Sequence, residues 1–91
     1  VLNEPDFNGH LSANPNPTLN KTTVTIKSSK NTKAILKVIT LQGQILLTNI
    51  FNAVEGNNHR ELELEGFAKG VYILNLSVEN MEPQNIRLVV E

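Results

Sequence analysis

Ninety-one residues with 40% hydrophobic content, no cysteine and a net charge of −1 fit one small globular domain that buries about two-thirds of its unfolded surface. Disulfides and thiolate metal sites are excluded, the charge balance speaks against a nucleic-acid partner, and no apolar run approaches the roughly 18 residues of a membrane-crossing helix. Five lysines against Glu4 and Asp6 make residues 1–45 net +3, and three basic against seven acidic side chains make residues 46–91 net −4, which a folded domain carries as ordinary solvated faces.

Residues 1–9 (VLNEPDFNG) have no period and are rich in turn formers. With His10 they predict a linker from an upstream domain, and residues 11–91 the folded unit. The start lacks the charged and apolar regions of a signal peptide, so a cleaved N-terminal export signal is expected outside this chain. His10-Leu11-Ser12-Ala13 reads as a short first strand. In Asn14-Pro15-Asn16-Pro17-Thr18 the two prolines fix φ, remove two backbone donors and push Asn14 and Asn16 out of the α region, which makes a stiff, extended corner.

Val24 and Ile26 alternate with Thr23, Thr25 and Lys27 as a half-buried strand. After the polar turn at residues 28–32, Ala34, Leu36 and Val38 make the core face of the next strand, with Lys33 and Lys37 outward and Ile35 and Ile39 on the second face. Leu41-Gln42-Gly43-Gln44 is a tight turn in which Gly43 takes positive φ at little cost. Residues 45–52 return as a strand, and residues 53–58 (AVEGNN) read as a polar loop. Residues 59–65 alternate with Leu62 and Leu64 inward and Glu61, Glu63 and Glu65 outward. Residues 66–70 turn the chain, Phe67 plugs an end of the core, and Tyr72, Leu74, Leu76 and Val78 line one face of the most regular strand. Residues 79–83 connect it by a hairpin to a last strand with Ile86, Leu88 and Val90 inward. No segment holds a helical period, so the expected fold is all-β: a small immunoglobulin-like antiparallel β-sandwich of about seven strands.

The chemistry-bearing residues do not assemble into a catalytic set. His10 and His59 have no cysteine or carboxylate motif beside them, so no metal site is expected. Glu61, Glu63 and Glu65 lie about 7 Å apart along one strand face without the carbonyl loop of a calcium site. No phosphate-cradling, nucleotide-binding or nucleophile-elbow motif occurs. Four aromatics, with Phe67 and Tyr72 at core positions, do not make a stacking platform for sugars or bases. The residues alone therefore describe a β-sandwich without an active site, cofactor or small-molecule substrate, which works by being recognised or by spacing other parts. A spacer or carbohydrate-binding accessory module of a secreted enzyme or adhesin stays open on this reading.

The ordered set of the proline corner, a strand, Val38-Ile39-Thr40-Leu41-Gln42-Gly43-Gln44-Ile45-Leu46, Leu62-Glu63-Leu64-Glu65-Gly66-Phe67-Ala68-Lys69-Gly70-Val71-Tyr72-Ile73-Leu74-Asn75-Leu76 and a terminal Asn85-Ile86-Arg87-Leu88-Val89-Val90-Glu91 resembles the type A C-terminal sorting domain of cargo proteins of the bacterial type IX secretion system. The likeness runs from about residue 11 to residue 91. It implies a non-enzymatic signal that directs an upstream cargo from the periplasm through an outer-membrane translocon. A sortase-like peptidase then cuts within or upstream of residues 1–10, and the cargo ends on the cell surface or is secreted. Pro15, Asn16 and Pro17 match the family's entry motif, Gly43 its central turn, and Gly70, Val71 and Tyr72 its late-strand motif. Ile86, Arg87, Leu88, Val89 and Val90 match the terminal strand tied to recognition, where a chain end on a sheet edge is expected to fray and pair with another edge. Self-association through edge strands stays open on the same ground. Two departures stand out: Thr40 takes the place of a frequent aspartate, and the ending has one basic residue and an acidic terminus where lysines are common.

Overall fold

Strict two-residue alternation gives each half-buried segment one apolar face, which two sheets can bury against each other. The computed structural model describes residues 10–79 and 82–91. Residues 1–9 of the expected linker, and Asn80 and Met81 of the expected hairpin, lie outside them. Seven strands follow in order: β1 (His10–Asn14), β2 (Lys21–Ser28), β3 (Thr32–Thr40), β4 (Ile45–Ala53), β5 (Gly56–Glu63), β6 (Gly70–Val78) and β7 (Gln84–Val90). They form a three-stranded sheet β1-β2-β5 and a four-stranded sheet β4-β3-β6-β7, antiparallel throughout. Relative to the constant immunoglobulin arrangement, the fourth strand has moved from the first sheet to the edge of the second. The expected all-β sandwich is what the chain forms.

Among the described residues, fourteen apolar side chains are buried between the sheets. Val24, Ile26, Leu62 and Leu64 come from the three-stranded side. Ala34, Leu36, Val38, Phe51, Ala53, Tyr72, Leu74, Leu76, Leu88 and Val90 come from the other. Along the β4/β5 side the core is closed by Phe51, over whose ring the Arg60 guanidinium sits at 4.5 Å, a cation–π contact that lets an inward-facing arginine cover the core edge.

One stretch departs from the sequence reading. Residues 53–58 are not a loop: β4 runs through Ala53, β5 begins at Gly56, and Val54 and Glu55 alone link these two strands. Gly56 takes φ +103°, and the Asn58 side chain supplies partners the short turn lacks, accepting from the Val54 N–H at 2.9 Å and donating to the Val54 carbonyl at 2.9 Å. Asn31 accepts from the Glu55 N–H at 2.8 Å. The polar run therefore pairs as an edge strand, Asn57 opposite Lys27 and Asn58 opposite Ile26, its backbone in the ladder with β2 and the Asn58 side-chain amide adding a bond to the Ile26 carbonyl at 3.2 Å. The strand accordingly spans Gly56–Glu63 rather than residues 59–65, and Leu64 stays buried just beyond its end.

The β3–β4 turn is built as its residues require. Gly43 sits at φ +97° and donates to the Thr40 carbonyl at 2.9 Å, while the Thr40 N–H donates to the Gln44 carbonyl at 2.8 Å. The Thr40 hydroxyl accepts from the Gln44 N–H at 3.0 Å. Threonine thus makes the side-chain bond to the turn backbone that aspartate makes in such turns.

Candidate functional site

The strand registers sort the loops to two poles. At one pole lie the proline corner, the β3–β4 turn, residues 64–70 and the end of β7. Thr40 is paired with Tyr72, Gly70 with Val90 and Lys21 with Glu63. At the other pole lie the start of β1, with His10 opposite Lys27, the β2–β3 turn and the β4–β5 connection. The three segments singled out by Pro15–Pro17, Gly43 and Gly70–Tyr72 thus meet at one end, and the chain enters β1 at the other.

Local bonding explains why the corner sits there. Thr18 and Thr22 are buried polar side chains, and both are satisfied. The Thr22 hydroxyl donates to the Pro15 carbonyl at 2.8 Å and the Thr18 hydroxyl donates to the Lys21 carbonyl, which pins the corner to β2. Both Asn-Pro peptide bonds of the corner are cis. On its other side the corner lies along the outer edge of β7. The Asn16 side-chain amide donates to the Arg87 carbonyl at 2.7 Å, and its carbonyl oxygen accepts from the Val89 N–H at 3.0 Å. Thr18 then donates to the Val89 carbonyl at 2.9 Å and accepts from the Glu91 N–H at 2.8 Å, a short parallel bridge. The edge expected to fray is therefore occupied from Arg87 onward, by one side chain imitating a peptide group and one backbone residue.

The five terminal-strand residues divide by face. Leu88 and Val90 are in the core at 0% and 3% exposure, and Ile86 packs against it. Arg87 and Val89 point to the outer face of the four-stranded sheet. That face carries a contiguous aliphatic patch at the same pole: Ile45, Ile39, Ile73 and Arg87 lie side by side across β4, β3, β6 and β7, and Val71 pairs with Val89 in the next row. Ile45 is 52% exposed and Val71 37%, with Leu46 and Leu41 open beside them. The row toward the other pole turns polar, with Lys37, Thr48, Asn75 and Asn85 in register. Single exposed aliphatics are ordinary; a contiguous set on a sheet face is a candidate contact surface. Isoleucines 39, 45 and 73 escaped the sequence reading as site residues because alternation assigns a face, and only the lateral register brings three strands' residues together.

Tyr72 faces the other way, into the core. Its ring meets Phe67 at a 5.6 Å centroid distance and 58° tilt, and its hydroxyl donates to the Ala68 carbonyl. This ties the residue 64–70 turn to β6 in the manner of a tyrosine corner. Tyr72→Phe is expected to keep the fold and cost about 1–2 kcal/mol of unfolding free energy, read by urea titration, because the Ala68 carbonyl loses a partly buried donor.

On the opposite sheet His59 Nδ1 lies 3.2 Å from the Thr25 hydroxyl, and Lys21 pairs with Glu63 at 3.9 Å with both side chains exposed, a pair of small energetic weight. Among the described residues no group of three or more His, Cys, Asp or Glu side chains gathers closely enough to hold a metal. Phe51 and Tyr72 are buried and Phe67 is half-buried, so no aromatic row faces solvent among the described residues. The arrangement offers a shaped, partly apolar surface at one pole.

Comparison of the chain with curated proteins and with solved structures gives no match. A family model, that of the secretion system C-terminal sorting domain, matches residues 12–91, a span that takes in the corner, both motif turns and the terminal strand. With a sandwich that brings those segments to one pole, the chain belongs to this family, the C-terminal sorting domains of type IX secretion cargo.

Proposed function

We propose that this domain is a folded export signal, read at its motif-bearing pole by the outer-membrane translocon of the type IX system while the cargo trails from the other. The observation that carries this reading is the convergence of the corner, the Gly43 turn, the Gly70–Tyr72 segment and β7 around an exposed aliphatic patch, with the chain entering at the far end. The occupant of the patch is an apolar surface of the translocon, and the flanking Arg87 and Lys37 favour acidic groups at its rim. Cargo on the distal side leaves that surface unobstructed. On this reading the sortase-like peptidase cuts within or upstream of residues 1–10 and releases the cargo to the cell surface or medium.

The test fuses the whole chain behind a periplasmic reporter in a host with the secretion system, with and without residues 87–91. The intact fusion is expected at the surface or in the medium, and the shortened one in the periplasm. Retention of both fusions in the periplasm defeats the reading. Because the truncation also strips Leu88 and Val90 from the core, it tests fold and signal together.

A further inference from the structure

The corner lies 71 to 73 positions from the residues its asparagine binds, so it is no local turn contact. Asn16 is exposed, its neighbours Pro15 and Pro17 have no N–H to offer the strand, and its side chain presents one donor and one acceptor at the spacing of a peptide group. With Thr18 it gives four hydrogen bonds to Arg87, Val89 and Glu91. Arg87 and Val89 are alternate residues of β7 whose backbone groups face away from β6, and Glu91 directly follows the strand's end. The side chains of Arg87 and Val89 lie on the outer face, where Val89 joins the aliphatic patch and Arg87 borders it.

We propose that Asn16 is a positioning residue for the recognition surface. It acts as a surrogate strand residue that clasps the end of β7, so that what the translocon reads is the closed strand with Arg87 and Val89 held in register, and not a frayed tail. This rests on the export-signal reading above. Two features favour the closed form as the species recognised. Leu88 and Val90 are fully inside, so freeing the strand end would open the core. The clasp also blocks the backbone groups of Val89 that edge pairing would need.

The experiment compares the whole chain with Asn16→Ala, which removes both side-chain bonds, and Asn16→Asp, which keeps the acceptor for the Val89 N–H and loses the donor to Arg87. Amide hydrogen exchange is read residue by residue, and surface delivery of a fused reporter is read in parallel. In Asn16→Ala the Val89 amide is expected to exchange about tenfold faster while Leu74 and Leu76 keep their protection, which shows that the sandwich is folded. Delivery is expected to fall about tenfold, with Asn16→Asp between the two. Unchanged exchange at Val89 overturns the clasp. Faster exchange with undiminished delivery overturns recognition of the closed strand. Failure of the unaltered chain to deliver its reporter defeats the export-signal reading instead, and leaves the exchange result to decide the clasp.

Discussion

Leu74→Ala is expected to lower the unfolding free energy by about 2–5 kcal/mol, the range for truncating a well-packed core leucine. Leu74 is fully buried on β6, an interior strand, with Val38 beside it on β3 and Ile86 on β7. Neighbours held on both sides by sheet hydrogen bonds cannot collapse into the space the side chain leaves. A domain of this size has about 5–15 kcal/mol to lose and sits toward the lower figure, so the substitution removes much of the total. At about 4–8 °C per kcal/mol, the melting temperature falls by some 10 °C or more. Urea titration checks it, with Ile50→Ala as reference: Ile50 is 59% exposed on the outer face of edge strand β4, and its truncation is expected to stay within about 0.5 kcal/mol. Equal losses at the two positions would contradict the packing described.

The core behind that prediction is legible from alternation alone. Val24 and Ile26, Leu36 and Val38, Leu62 and Leu64, and Leu74 and Leu76 each recur at a period of two, which places them on one face whatever the strands' partners. Partners are another matter. Asn57 and Asn58 look like loop residues because strand propensity reflects side-chain packing on a half-buried surface, and an edge strand that bonds through its backbone escapes that test. The corner shows the same limit from the opposite direction. Two prolines announce a stiff turn, yet nothing local says that Asn16 reaches residues 87 and 89, since long-range hydrogen bonds leave no periodic trace. Thr18 and Thr22 read as ordinary polar residues and are buried, because each hydroxyl finds a backbone carbonyl. The candidate site is legible in its motifs and hidden in its shape: Gly43 and Gly70–Tyr72 mark the pole, while the patch of Ile39, Ile45 and Ile73 exists only once β4, β3 and β6 are laid side by side.

That patch separates signal from stability. The double variant Ile39→Thr, Ile73→Thr is expected to keep the sandwich and reduce surface delivery of a fused reporter at least tenfold. The two positions are direct cross-strand partners, both half-buried on the outer face, so no core cavity is made, and threonine keeps the β-branch that suits a strand. Each change replaces apolar surface by a hydroxyl. Exposed to water the hydroxyl is nearly free, but buried against an apolar partner without a hydrogen bond it costs about 1–3 kcal/mol. Since 1.4 kcal/mol corresponds to tenfold in affinity, two such positions suffice for the expected loss, while unfolding free energy falls by no more than about 1–2 kcal/mol. The control places the same number of changes on the outer face of the other sheet, Thr23→Ala and Thr25→Ala, neighbours along β2, where delivery is expected to stay at the level of the unaltered chain. Delivery that survives the isoleucine pair, or that falls equally with the threonine pair, would remove the patch as the recognised surface and leave Arg87 and the corner as the features at that pole still to be tested.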